Sequence, residues 1–176
     1  MPFLSGIAMT RHYSKLHVLL HWSFATIMIW ATLSGFTNAM YSLPANVSSA
    51  IAFINVSLTT LLIPLFVLRI LCALDRRNHT DDSHRGLRLL AKSGHLMLYV
   101  VTALTLITGV LMMERPIDIF GLVQLPQPLQ DPALTRFFNT LHKYACIAIA
   151  VLIVGHIGAV IAHHVCGDKI LKHMSL

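Results

Sequence analysis

The chain has 176 residues, 56% of them hydrophobic and 11% charged, with a mean hydropathy of +0.71 and a formal net charge of +6. A water-soluble domain of this length could not cover so much apolar surface with so few charges, so the solvent for most of the chain is lipid. The basic balance is then a matter of membrane topology, and nucleic acid is excluded as a partner because no soluble scaffold presents a basic face.

Four apolar segments, at about 16–37, 49–74, 93–113 and 139–165, each reach the roughly 20 residues that cross a bilayer. The first follows Arg11 and Lys15 and has the outline of a secretory signal. It runs to about Phe36 without a small-x-small cleavage site, so it is read as a spanning helix. Pro64 is expected to kink the second helix. The loop from Glu114 to about Phe138 carries Pro116, Pro126, Pro128 and Pro132 and the segment IFGLV, which places it on the membrane surface or over a site. Cys72, Cys146 and Cys166 form no C-x-x-C pair and are odd in number, so they read as small apolar residues rather than as disulfide partners or zinc ligands. The expected fold is an all-α membrane protein, one four-transmembrane-helix bundle over residues 1–176.

An even number of spans puts both termini on one side. Arg11, Lys15, Arg69, Arg76, Arg77, Arg85, Arg88, Lys92, Lys169 and Lys172 fall on that side, against Arg115, Arg136 and Lys143 on the other. Both termini and the middle loop are therefore expected in the cytoplasm.

Eleven histidines need an explanation, because imidazole in hydrocarbon requires a partner. His12, His79, His84 and His173 fall in loops or tails and read as solvated. His163 and His164 end the fourth helix, where they suit its last carbonyls or a quinone or proton path. His142 and His156 lie fourteen residues apart on the fourth helix, nearly on one face and separated by about 21 Å. His21 lies six residues past Lys15, at about the depth of His156, roughly 9–10 Å from the inner edge. Opposed histidines at one depth on two helices are what six-coordinate haem iron requires. His17, one turn before His21, is an alternative ligand or a supporting group. His95, beside Gly94 and close to the inner interface, suits proton delivery to a bound quinone. His142 has no second histidine at its depth. Met40, Met112, Met113 and Asn55 are the groups nearby, and an outer haem there is five-coordinate, methionine-ligated or absent.

LLHW in the first helix, SGHLMLY opening the third, LH-x13-H in the fourth and the following AHHVCGDKILKHM together resemble the bacterial cytochrome b561 family, relatives of the haem-bearing membrane subunits of hydrogenase and formate dehydrogenase. The resemblance covers essentially the whole chain. It implies a four-helix bundle in the bacterial inner membrane with two b-type haems. The inner haem, between helices one and four, maps to His21 and His156. The outer, between helices two and four, maps to His142 and, counted back from Arg69, to Asn55, where the family has histidine. By resemblance His95 and the region of His163 and His164 line a cytoplasmic quinone site, and some members take electrons from superoxide in the periplasm.

The expected function is a haem b electron-transfer protein passing electrons between a periplasmic donor, superoxide among the candidates, and the quinone pool. Arg115, Arg136 and Lys143 would draw in an anion. The alternative is a haem-carrying membrane anchor or docking subunit for a separate redox enzyme. Transport is disfavoured by the lack of paired carboxylates and broken-helix repeats, and no hydrolytic motif is present.

Overall fold

The computed structural model describes residues 15–75 and 85–166. Four helices, α1 (Lys15–Met40), α2 (Ala45–Asp75), α3 (Arg85–Leu111) and α4 (Pro132–Val165), make up the bundle, and the loop between α3 and α4 carries a small hairpin of β1 (Ile117–Ile119) and β2 (Val123–Leu125). Each helix holds a stretch long and apolar enough to span: Val18–Met40, Ala45–Ala73, Lys92–Leu111 and Pro132–Ala162.

Hydropathy marks where a helix enters lipid and not where it begins, so α3 and α4 start earlier than their apolar runs. Asp131 starts α4: its carboxylate accepts from the Ala133 amide at 2.8 Å and Pro132 takes the first turn, where its missing N–H costs nothing. α2 is continuous through Pro64.

Within lipid a backbone must bond to itself, and a hydroxyl must find a partner nearby. Ser34, Thr59, Thr60, Thr105 and Thr108 each return a hydrogen bond to the carbonyl four residues back, at 2.7–2.8 Å. Large apolar side chains such as Leu33, Val67, Val100, Val151 and Val154 lie on the outside of the bundle, the correct side for a protein dissolved in acyl chains.

α1 packs along α2 and α3 along α4, with few contacts joining one pair to the other. What joins them is an apolar cluster at mid-depth, Phe24 and Met28 from α1, Leu62 and Phe66 from α2, Val101 and Leu106 from α3 and Ile149 from α4.

The proline-rich outer loop is a hairpin tied down onto α2. The buried Ser57 hydroxyl donates to the Asp118 carbonyl (3.1 Å) and accepts from the Phe120 amide (3.0 Å), and the Phe120 ring meets Phe53 edge-on at 6.1 Å. Its turn places Phe120 (φ 52°) and Gly121 (φ 69°) both in the left-handed region. Glycine adopts that conformation freely, whereas Phe120 is held there by its bonds to α2. Between hairpin and helix is a cavity of about 400 Å³ lined by Phe53, Val56, Met113, Arg115, Asp118 and Gln124, among others.

Candidate haem site

The fourteen-residue interval on α4 recurs on every helix. His21 and Gly35 on α1, Asn55 and Arg69 on α2, His95 and Gly109 on α3, and His142 and His156 on α4 each stand fourteen residues apart. At about 100° per residue each pair shares a face, and at about 1.5 Å per residue the members are about 21 Å apart. The bundle thus carries two tiers. Ile149, midway between His142 and His156, belongs to the apolar cluster that separates them.

The inner tier brings the helix pairs together. Arg69 Nη2 donates to His21 Nδ1 at 2.8 Å, and its guanidinium lies 5.6 Å from the Phe24 ring centroid and 5.9 Å from that of Tyr99. Tyr99 accepts a long bond from Arg69 Nε at 3.4 Å. The rings of His95 and His156 meet edge-on at 5.5 Å. His21 and His156 lie within electrostatic reach of one another and of Arg69 and His95. Among the described residues no carboxylate pairs with Arg69, so a cation stands inside the membrane with only aromatic faces, a phenol and an imidazole around it.

The outer tier is different, since each polar group there turns to its own helix pair. One end of the Asn55 carboxamide bonds the Ser34 hydroxyl of α1 at 2.9 Å. His142 is set into α3: Nδ1 is 3.1 Å from the Thr105 carbonyl and 3.1 Å from the Thr108 hydroxyl. A Cβ on Gly109 would stand 3.2 Å from His142 Cε1, so only glycine seats this ring without displacement. Cys146 Sγ is 3.3 Å from His142 Nε2, a polar contact beyond the packing role read from the sequence. All three cysteines are free, and Cys166 is exposed at the end of α4 rather than packed inside.

Among the described residues no group of three or more His, Cys, Asp or Glu could hold a bare metal ion. Two imidazoles from different helices are instead the donor set for iron whose other four ligands come from a porphyrin. His21 and His156 fit that requirement, and the unpaired charge of Arg69 beside them fits the carboxylates haem carries. The outer tier supplies one imidazole. His164 is exposed at the end of α4, and the side chains of His17 and His163 lie outside the described residues.

The sequence profile described as prokaryotic cytochrome b561 matches residues 12–175. The chain belongs to the prokaryotic cytochrome b561 family. It is similar to cytochrome b561 homolog 2 of Escherichia coli (strain K12), 35% identical over 92 residues, and the matched stretch spans about half of that relative, 49% of each chain. Cytochromes b561 are membrane proteins that bind haem b, and the four apolar helices of this chain are those of a multi-pass membrane protein.

Reading the chain for single histidines missed several members of both tiers. Arg69 served only as a topology charge and an alignment mark, and Tyr99, Thr105, Thr108 and Gly109 were not singled out at all. The signal that finds most of the ring is the repeat of the α4 interval on the other three helices.

Proposed function

We propose that this cytochrome b561 holds a low-spin haem in the inner tier between His21 and His156 and exchanges electrons there with the membrane quinone pool. The convergence of His21, Arg69, His95 and His156 from four helices on one depth carries the reading. Haem b supplies one-electron iron chemistry when bound. His21 and His156 would each donate a ring nitrogen, and Arg69 would neutralise the cofactor's carboxylate charge in a medium that pays heavily for unpaired ions. Quinone reduction takes up protons, and His95, stacked edge-on against His156 near the inner end of α3, is the group to relay them.

The charge asymmetry of the loops supports an inner-membrane topology with both termini in the cytoplasm. The donor would then arrive at the outer face, and superoxide suits its electrostatics. Of the three acids near Arg115, Arg136 and Lys143, Asp118 is bonded to the Gly121 amide and Asp131 caps α4.

His156→Ala is expected to remove the low-spin inner haem from the reduced-minus-oxidised spectrum while the protein still inserts. An unchanged spectrum would take His156 off the ligand set.

A further inference from the structure

The outer tier does not meet the requirement that the inner tier meets. A six-coordinate haem between helices two and four needs an imidazole from each, and here α4 offers one while α2 offers a carboxamide, a poor iron ligand. His142 is satisfied without iron. The Thr105 carbonyl can only accept, so the ring proton is on Nδ1, and the Thr108 hydroxyl, whose own proton goes to the Leu104 carbonyl at 2.7 Å, has its lone pair left for the same Nδ1–H. The lone pair of Nε2 is taken by the Cys146 thiol, a weak donor at 3.3 Å. Every partner of the ring is thus on α3 or on α4 itself.

Asn55 is turned the other way. One end of its carboxamide bonds the Ser34 hydroxyl at 2.9 Å, and Nδ2 lies 3.9 Å from where a Cβ on Gly35 would stand, so both ends face α1. The other pair repeats the arrangement: Gly35 and Gly109, fourteen residues beyond His21 and His95, are where the neighbouring helix rests its outer-tier side chain. Among the described residues no hydrogen bond joins Asn55 to α3 or α4, or His142 to α1 or α2. Met113, a buried methionine at this end, lines the cavity under the hairpin, of which neither His142 nor Asn55 is part.

We infer that the outer tier carries no haem: its side chains are internal locks, one for each helix pair, and the chain binds a single haem where its family resemblance implies two. The inference rests on the haem site proposed for the inner tier. An imidazole or carboxamide within a membrane has to be satisfied by something, and here a backbone carbonyl, two hydroxyls and a thiol take the place that iron and its porphyrin would otherwise fill. A donor at the outer face then exchanges electrons with the inner haem across the apolar cluster that contains Ile149, with no second iron between.

The test is the haem content of the intact purified protein, as pyridine haemochrome against amino-acid analysis, together with its visible spectrum. Wild-type protein should hold one haem per chain, low-spin and indifferent to carbon monoxide when reduced. His142→Ala should keep that haem and its spectrum unchanged while lowering the thermal unfolding temperature, because α3 and α4 lose their polar contact. Two haems per wild-type chain, or a carbon monoxide difference spectrum that disappears in His142→Ala, would overturn the inference and leave the inner-tier reading standing. An unfolding temperature equal to that of the wild type would overturn the locking role. The wild-type ratio decides even if His142→Ala fails to accumulate. A single haem lost in His142→Ala and retained in His156→Ala, or no haem at all, would overturn both readings.

Discussion

At the scale of single residues, His21 and His142 are held in opposite tautomers. The guanidinium of Arg69 can only donate, so at 2.8 Å it makes His21 Nδ1 an acceptor and leaves the proton on Nε2. A histidine that ligates iron through Nε2 carries its proton on Nδ1. In the proposed ligand role His21 would change tautomer and release Arg69, whereas His142 already carries its proton on Nδ1, because the Thr105 carbonyl in contact with that nitrogen can only accept. Nitrogen NMR of ¹⁵N-histidine-labelled apoprotein should find Nδ1 of His21 unprotonated in the wild type and protonated in part in Arg69→Leu. The same variant should retain haem about tenfold less well, since it loses the intramembrane cation, the equivalent of ~1.4 kcal/mol. Wild-type retention with a wild-type tautomer would mean that Arg69 serves neither purpose.

At the scale of elements, the hairpin and α2 behave as one unit because Ser57 is both donor and acceptor to it. Its hydroxyl satisfies the Asp118 carbonyl and the Phe120 amide, and that amide belongs to a residue in the left-handed region. Removing the hydroxyl leaves two backbone groups without partners, at a cost of about 1–3 kcal/mol. Ser57→Ala should speed amide hydrogen exchange through β1 and the turn by roughly 10- to 100-fold, with the helices unaffected. An unchanged rate at Phe120 would show that the Phe53 contact alone fixes the hairpin. The prolines and apolar IFGLV segment pointed to a loop lying on the membrane surface or over a site, but neither its strands nor its seat on α2 was legible. Three-residue strands carry too little alternation to register as a pattern, and Ser57, sixty-one residues before Asp118, gives no local sign of the partnership.

At the scale of the whole molecule, the spans and the common depth of two histidines were legible because both follow from periodicity. Hydrophobic runs of about 20 residues announce their helices, and counting residues from Lys15 and from the inner end of α4 puts His21 and His156 level. Pairing was not legible. Nothing in the hydropathy of four similar helices states that α1 lies along α2 and α3 along α4, nor that Asn55 turns to Ser34 while His142 turns to Thr105. That pairing has a consequence for how the protein is made. Each pair is a hairpin of consecutive helices, complete in its outer-tier polar contacts, and the two hairpins share little besides a mid-depth apolar cluster and the inner-tier contact of Arg69 with Tyr99. Such halves can enter the bilayer separately and dock afterwards, and a haem held between His21 of one and His156 of the other, as proposed above, would be the mortar between them. Residues 1–80 and 81–176, produced as separate chains in one cell, should co-purify when haem synthesis is active and part when it is blocked. If the halves stay together without haem, the apolar cluster alone is the cement, and the cofactor arrives in a finished building.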